Sequence, residues 1–210
     1  MNLPFVTLCP EVTRSDALKL MDWLEDECVT RHLSDSRHVS RFIEQVIGWV
    51  QLPVLTHLFN QGGRFFMVYD RHDGPVGFVR LVKTGPDCEM VLGIGSPDNW
   101  GRQLGASAIR ESMKIAFFEM RAEKLVAKVH ADNARSLKLF QRCGFQLESR
   151  TAALNSFALA AKHYRRLLRE GSAALAGDIC ITEIDQERRR ELRVFEAVAA
   201  LEIAHVNLVV

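Results

Sequence analysis

Residues 90–106 read MVLGIGSPDNWGRQLGA and decide the fold. The first six predict an apolar strand, and the others form a glycine-bearing loop that leads into a helix. The N-terminus of a helix has unpaired backbone N–H groups and a partial positive charge, which favour a phosphate ligand. Gly101 and Gly105 allow the backbone to approach such a ligand, and Arg102 adds a cation beside it. The pattern therefore predicts a phosphate-binding loop.

The segment after this loop predicts two helices and another strand. A helix from about Leu104 to Arg121 has apolar residues at three- and four-residue intervals, which indicate a buried stripe. Leu125–Val129 is a short apolar strand, and it must run parallel to the strand before the helix because that helix crosses between them. The next helix is predicted from Asp132-Asn133, which are favourable N-caps, to Gly144. Residues 145–149 then begin another strand.

The segment before the loop has the pattern of an antiparallel meander. From Gly62 the chain has three runs rich in valine and phenylalanine, RFFMVYD, PVGFVRLVK and CEMVLGIG, with turn signals at Asp73-Gly74 and Gly85-Pro86. These runs have little polarity on either face, so helices are expected to cover both sides of the sheet. Residues 3–8 predict a first strand, which is followed by a helix that Thr13 or Ser15 caps and by a helix over residues 40–50. The apolar faces predicted for these helices are Ala17, Leu18, Leu20, Met21 and Leu24 in the first, and Phe42, Val46, Ile47 and Val50 in the second.

The composition excludes several classes of protein. The 210 residues are 48% apolar, enough for a packed core, and Lys+Arg 27 nearly balances Asp+Glu 26 without a basic block, which argues against nucleic-acid binding. No run reaches the ~18 apolar residues of a membrane span and no signal peptide is evident, so we expect a cytoplasmic protein. The five cysteines are widely spaced and lack a C-x-x-C pair, so neither disulfides nor a zinc site is expected. His32, Asp35 and His38 lie in a polar connection and are expected to be solvated there rather than to bind a metal.

Two sequence motifs resemble those of the GNAT superfamily of acyl-CoA-dependent N-acyltransferases. Asn133-x-x-Ser136-x-x-x-Phe140-x-x-x-Gly144-Phe145 is closely similar to the family's N-x-x-S-x-x-x-Y-x-x-x-G-F. Trp100–Gly105 is similar in part to R/Q-x-x-G-x-G/A, with Trp100 in place of Arg or Gln and Gln103 in place of the first glycine. A Trp-Gly-Lys/Arg run here resembles the subgroup that includes ribosomal-protein N-terminal acetyltransferases and polyamine acetyltransferases. The resemblance covers about residues 1–170 and implies an α/β fold of the α+β type, with a mixed central sheet, an antiparallel meander followed by parallel strands, and helices on both faces.

The resemblance also implies where acetyl-CoA binds. The backbone N–H groups of residues 102–106 would hold the diphosphate, and the pantetheine arm would pair with the backbone of Leu92–Ile94, where Gly93 leaves space. Asn133 would hydrogen-bond the cofactor. The cofactor-binding residues implied in this way are Leu92, Gly93, Ile94, Arg102, Gln103, Leu104, Gly105, Ala106, Asn133, Ser136 and Phe140. Without the resemblance, Asn133 is a helix cap and Phe140 is a core aromatic residue.

The chemistry of acyl transfer predicts a catalytic carboxylate. An amine that attacks a thioester must first lose a proton, and a partly buried carboxylate suits the role of base. Glu89 is the predicted catalytic residue, since it begins the strand that leads to the loop; the alternative is a solvated or ion-paired strand-end carboxylate. Asp70 and His72 are weaker candidates. Because Phe140 stands where many family members have a tyrosine that protonates the leaving thiolate, another donor, solvent or unassisted departure must take over that task, and Cys143 is expected to be a core residue rather than a nucleophile.

Two functions therefore stand at the level of the sequence. The first is an acetyl-CoA-dependent N-acetyltransferase that acts on a primary amine of a small molecule or peptide. This enzyme is expected to use no metal and to be able to form a homodimer. The second is a non-catalytic acyl-CoA-binding or regulatory module. A dinucleotide site is disfavoured because G-x-G-x-x-G is absent and the preceding strands form a meander.

The C-terminal part of the sequence is less regular. Residues 163–170 predict a last strand, and a helix over residues 157–168 fits the periodicity about as well. Residues 171–178 predict a linker after a domain of residues 1–170, and residues 179–210 predict a helical tail. ICITEIDQERRRELRVFE in this tail resembles the start of regulators of nucleoside diphosphate kinase, which would make the tail a truncated fused module.

Overall fold

The computed structural model describes residues 6–33 and 36–176 of the chain, apart from the side chains of residues 36–38 and 171–176. Seven strands run over Val6–Cys9 (β1), Arg64–Asp70 (β2), Gly74–Thr84 (β3), Asp87–Ile94 (β4), Lys124–His130 (β5), Gln146–Arg150 (β6) and Leu154–Ala160 (β7). The helices are Arg14–Glu25 (α1), Glu27–Thr30 (α2), Ser36–Trp49 (α3), Thr56–Phe59 (α4), Leu104–Lys114 (α5), Ala134–Arg142 (α6) and Ala161–Ala176 (α7). The predicted tail of residues 179–210, and Gly177 and Asp178 of the predicted linker, lie outside the described residues.

The strands form one sheet in the order β1-β2-β3-β4-β5-β7-β6, and its mixture of antiparallel and parallel pairs confirms the predicted mixed sheet. The pairs β1–β2, β2–β3 and β3–β4 are antiparallel, which confirms the meander. Strands β4 and β5 are parallel but pair over only three positions, of which the last is Glu89 opposite Val126. Beyond Glu89 the two strands separate, and this separation creates the site described below.

Helices cover the sheet through two sets of buried side chains. On one face, Phe65 and Met67 of β2 and Phe78 of β3 pack in a cluster with residues of α1 and α3, among them Trp23 and Ile47. The alternate residues of β2 are also buried but lie outside this cluster, and α5 packs against β1, β3 and β4. The loop that follows β4 is therefore fixed between a buried sheet and a buried helix.

The first helix begins as its sequence indicates. Thr13 is the N-cap of α1, and it forms a capping box with Asp16 in which each residue's side chain accepts a hydrogen bond from the other's backbone N–H. The predicted buried faces need correction at two positions, since Leu18 and Phe42 are both 47% exposed. Ile43, the neighbour of Phe42, takes the buried position on α3.

The long central helix is shorter than predicted. Helix α5 ends at Lys114 and continues as a π-helical turn over Ile115–Glu119, and Arg121 then adopts a left-handed backbone with φ 52°. Ala116 and Phe117 of this turn remain buried, so the predicted apolar stripe continues beyond the regular helix.

Of the two alternatives for this segment, the strand over residues 163–170 is wrong, and the helix over residues 157–168 is confirmed only from Ala161 onward. The last strand is β7 at Leu154–Ala160, where the buried residues Asn155, Phe157 and Leu159 alternate with partly exposed ones. Several residues of β7 are small, so the sequence shows only a weak alternation of apolar and polar residues there. Helix α7 begins at Ala161 and runs to Ala176, through the first six residues of the predicted linker. By internal contacts the chain divides into two units between Arg165 and Arg166.

Two absences concern only the described residues. In that part of the chain no helix is long and apolar enough to cross a membrane. Within the same residues no group of three or more histidine, cysteine, aspartate or glutamate side chains is arranged to hold a metal ion. Asp35 and the side chain of His38 are not among them.

Candidate active site

The separation of β4 and β5 opens a cleft with a volume of about 730 Å³. One wall consists of β4 and the loop that leads into α5, the other of β5 and α6, and the end of α2 lies at one side. The predicted site residues that line this cleft are Glu89, Leu92, Gly93, Ile94, Gln103, Leu104, Gly105, Ala106, Asn133, Ser136 and Phe140. Arg102 is the one predicted site residue that does not line the cleft. Residues that are up to 51 positions apart in the sequence therefore meet in one cavity.

The end of the cleft at α5 has the geometry of an anion site. Gly101 and Gln103 both have left-handed backbones, with φ 84° and 64°. Gln103 is the N-cap of α5 but makes no side-chain capping hydrogen bond, and the first backbone bond of the helix runs from Ser107 N to Gln103 O at 3.1 Å. The N–H groups of Leu104, Gly105 and Ala106 precede this bond, so the positive end of the helix faces the cleft.

Arg102 points away from this anion site. Its guanidinium forms ion pairs with Asp70, at 3.3 Å, and with Asp73 in the turn between β2 and β3, and it donates to Asn99 Oδ1 at 2.8 Å. The hydrogen bond from Arg102 holds the pKa of the Asp73 carboxyl below its usual range. Asp70, one of the weaker catalytic candidates, is buried in this network and outside the residues that line the cleft. Arg102 thus ties the loop before α5 to the meander.

Gly93 leaves space for a neighbouring ring. A Cβ atom at Gly93 would lie 2.4 Å from Phe78 Cε1, which no side chain tolerates without movement. Packing against Phe78 is thus one reason for glycine at this position, and Gly93 also lines the cleft, where room for a ligand arm stays a prediction. Gly105 has a similar role between helices, since a Cβ atom there would lie 3.2 Å from Leu139 Cδ2 of α6.

Glu89 lies where β4 and β5 begin to separate, and its side chain is 34% exposed. Its carboxylate Oε2 accepts a hydrogen bond from Lys128 Nζ at 2.7 Å. Both residues line the cleft. The ion-paired alternative for Glu89 is thus present in the structure, although the pair stands inside the cleft rather than on a remote surface.

Helix α6 supplies the other wall. Asn133 is its N-cap, and Asn133 Oδ1 accepts a hydrogen bond from Ser136 N at 3.1 Å. Phe140 is buried and packs edge-to-face on Phe145 at 5.2 Å between ring centroids, so the position that faces the cleft has no hydroxyl group. Burial raises the pKa of the neighbouring Cys143 thiol, which keeps this group protonated near neutral pH and argues against a nucleophile.

Sequence reasoning missed most of the charged residues of the cleft. The cationic or titratable bases that line it, besides Lys128, are His32, Arg110, His130, Arg135, Lys138 and Arg142, whereas Glu89 is the one lining carboxylate among the described residues. A signal existed in α6, because positions 135, 138 and 142 follow the three- and four-residue spacing of one helix face. The cleft as a whole favours an anionic ligand.

Known proteins share both sequence features and the fold of this chain. The profile of the acetyltransferase (GNAT) domain family matches residues 7–146. The uncharacterized N-acetyltransferase p20 of Bacillus licheniformis is 24% identical over 136 residues, which cover 63% of this chain and 75% of that protein. The structure of spermidine N-acetyltransferase from Vibrio cholerae in complex with CoA and spermine is similar at a TM-score of 0.60 and 16% identity, covering 76% of this chain and 98% of that one. An acetyltransferase of the GNAT family from Bacillus anthracis has a TM-score of 0.58 at 13% identity, covering 77% and 98%.

Proposed function

Because this chain belongs to the GNAT family of acetyltransferases, we propose that it transfers the acetyl group of acetyl-CoA to a primary amine by direct attack in a ternary complex. The observation that carries the proposal is the cleft between β4 and β5, which leads from Glu89 to the N-terminus of α5, where no side chain caps the helix. Such a cleft suits a long ligand that has a phosphate group at one end and a reactive group at the other.

The edge of β4 supports the binding of the pantetheine arm. Residues 90–94 pair with β3 on one side, whereas the pairing with β5 stops at Glu89. Their remaining backbone polar groups face the cleft and need a partner, because buried N–H and C=O groups are costly to leave unpaired. An extended amide-bearing arm would supply one beside Leu92–Ile94.

The other end supports the binding of phosphate groups. The backbone N–H groups of residues 104–106 would hold the diphosphate, in the manner expected for a helix N-terminus without a side-chain cap. Arg110, Lys138 and Arg142 add positive charge to the cleft. Asn133, Ser136 and Phe140 would contact the arm nearer the thioester.

The proposed mechanism uses Glu89 as the general base. An acceptor arrives as an ammonium and displaces Lys128 from the Glu89 carboxylate, or binds that carboxylate together with Lys128. Glu89 then removes one proton from the ammonium. The free amine attacks the thioester carbonyl, and backbone N–H groups of the separated strand stabilise the oxyanion. Collapse of the intermediate breaks the C–S bond and the second proton passes from the nitrogen to solvent. The thiolate takes a proton from solvent, because Phe140 has none to give, and Glu89 returns its proton to solvent. Thiols are acidic enough, with an ordinary pKa near 8.5, for this departure to need no tyrosine.

A second candidate function is an acyl-CoA-binding or regulatory module without catalysis. Two observations favour it. Phe140 has no hydroxyl group, and the Glu89 carboxylate is already paired with Lys128. Both leave the cofactor cleft intact.

The two functions are separated by a turnover assay on the full chain. Acetyl-CoA is incubated with a panel of primary amines, namely amino acids, peptides with a free N-terminus, lysine derivatives, polyamines and aminoglycosides. Release of CoA thiol that depends on one amine, with the acetylated amine identified by mass spectrometry, supports the enzyme. Tight binding of acetyl-CoA without thiol release for any class would support the module instead.

A further inference from the structure

A second opening adjoins the cleft between α2 and the start of α6, and we call it the α2 lobe. It has a volume of about 610 Å³ and is lined by Glu27, Cys28, Thr30, Arg31, His32, Trp100 and Arg135. Four of these residues, Cys28, His32, Trp100 and Arg135, also line the main cleft, so the two cavities share a wall. A ligand of the cleft can therefore reach into the lobe.

Arg135 is held in place at this shared wall by an aromatic ring. Its guanidinium carbon lies 3.4 Å from the centroid of the Trp100 ring, a close cation–π contact. The indole is itself fixed, because Trp100 Nε1 donates to the Ile94 carbonyl oxygen at 3.3 Å. The stacked arginine is thus fixed by the loop that leads into the phosphate site.

Arg135 also lacks a neutralising partner. Among the described residues no carboxylate lies within ion-pair distance of it, whereas Arg31 and His32 share Asp132 at 3.9 and 3.3 Å. Partial desolvation lowers the pKa of the Arg135 guanidinium, and no carboxylate among the described residues offsets this. Glu27, the one carboxylate that lines the lobe among the described residues, is exposed on α2. Arg135 is an exposed residue, so its guanidinium is accessible to a ligand in either cavity, and the Trp100 ring holds it there without neutralising its charge.

We propose that Arg135, stacked on Trp100, binds an anionic oxygen group, phosphate or carboxylate, of a ligand that extends into the α2 lobe. The Trp100 ring covers one face of the guanidinium and leaves its in-plane N–H groups available for the paired hydrogen bonds that phosphate or carboxylate oxygens accept. The assignment rests on the proposed function for the identity of the ligand, which has two sources. The anion is either the 3′-phosphate of acetyl-CoA or an acidic group of the acceptor, and in the second case the acceptor is not a simple polyamine.

The test compares the wild type with Arg135→Gln, which removes the charge, and with Arg135→Lys, which keeps the charge but lacks the paired N–H donors of the guanidinium. Titration calorimetry measures binding of acetyl-CoA and of 3′-dephospho-acetyl-CoA. If the 3′-phosphate is the ligand, Arg135→Gln raises the Kd for acetyl-CoA roughly tenfold and changes the Kd for the dephospho compound by less than twofold. The Kd of Arg135→Lys for acetyl-CoA then lies between those of the wild type and Arg135→Gln. Arg41→Gln, at an exposed position on α3, is the matched control and is expected to match the wild type.

The acceptor arm uses the complex with acetyl-CoA already bound. Amino acids are compared with their amides, and inorganic phosphate is the simplest anion probe. If the acceptor supplies the anion, Arg135→Gln leaves acetyl-CoA binding unchanged but weakens the carboxylate-bearing amines roughly tenfold and not their amides. The proposal is overturned if Arg135→Gln matches the wild type for acetyl-CoA, for the amino acids and for phosphate. A wild type that binds phosphate through Arg135 but no acetyl-CoA would reject the proposed function and retain the site.

Discussion

Lys128 Nζ lies 2.7 Å from Glu89 Oε2 at the point where β4 and β5 stop pairing. The pair joins the two walls of the cleft at the level of the last shared backbone position. The carboxylate is therefore already beside a cation before any acceptor arrives. An acceptor ammonium would replace Lys128 as the partner of the carboxylate, which is the exchange that a base in this position requires.

Glu89→Gln tests the proposed base. Loss of the carboxylate should lower kcat by about 10²- to 10⁴-fold, the usual contribution of a general base, while acetyl-CoA binding stays within about twofold. Glu119→Gln removes a carboxylate from an exposed ion pair with Arg64 and is the matched control, expected to keep full activity. Steady-state kinetics and calorimetry measure both quantities. Unchanged turnover in Glu89→Gln would sink the assignment.

Lys128→Met tests whether the partner of Glu89 is itself needed. The variant keeps the carboxylate and much of the apolar stem, so we expect kcat/KM to remain within about tenfold of the wild type. The same kinetic assay measures this ratio. A loss as large as that of Glu89→Gln would mean that the chemistry needs the lysine as well.

Gly93→Ala tests the packing of β4 against Phe78. The added Cβ would lie 2.4 Å from the ring, so we expect unfolding free energy to fall by about 1–3 kcal/mol. Gly48→Ala is the control, because it lies in α3 with open space around it and should gain about 0.5–1 kcal/mol from helix propensity. Urea denaturation measures both. Combination of Gly93→Ala with Phe78→Leu should restore part of the loss, and equal stability of Gly93→Ala and wild type would contradict the contact.

Substitutions of Gln103 test the cost of a left-handed backbone in the loop before α5. With φ 64°, this position suits glycine. Gln103→Gly and Gln103→Ala both lose the side chain, so their difference isolates the backbone, and we expect the glycine variant to be more stable by about 1 kcal/mol. Denaturant unfolding of the two variants provides the comparison. An alanine variant that equals or exceeds the glycine variant would mean that the loop does not hold this conformation.

Cys88 gives the chain a predictable response to alkaline pH. Burial raises the pKa of its thiol from 9.0 to about 11. A group whose pKa is raised by folding contributes its full share of the unfolding free energy below the pKa that it has in the unfolded chain. This contribution is lost as pH rises toward the pKa in the folded chain, here between pH 9 and 11. From pH 8 to about 10.5 the wild type should therefore lose roughly 2 kcal/mol more than Cys88→Val. Other groups with raised pKa values, such as Tyr164, titrate equally in both proteins and cancel.

The sequence predicted the parts of the fold that local patterns determine. The meander, the parallel crossing and Asn133 as a cap follow from alternation, turn residues and capping preferences, which act over a few positions. Strand β7 was missed because small residues in LNSFALA weaken the alternation, and its pairing with β5 is a tertiary contact.

Long-range contacts account for what was missed in the site. Nothing near Arg102 in the sequence indicates that it turns to Asp70, and nothing near Gly93 indicates Phe78 as its neighbour. Arg135 meets Trp100 only because α6 packs beside the loop that precedes α5. Side-chain direction at these positions depends on the tertiary arrangement, so the motif indicates which residues share the cleft but not what each side chain contacts.

The most direct test of the account is acetyl-CoA binding by titration calorimetry to the wild type and to two variants at the start of α5. Gly105→Trp and Ala106→Trp place a large ring in the cleft, and Lys114→Trp adds the same ring at the exposed far end of the helix as a control. We predict that the wild type and Lys114→Trp bind acetyl-CoA alike, and that both cleft variants, folded by circular dichroism, lose binding by more than tenfold. Equal binding by all four proteins, or none by the wild type, would contradict a cofactor site at this helix N-terminus.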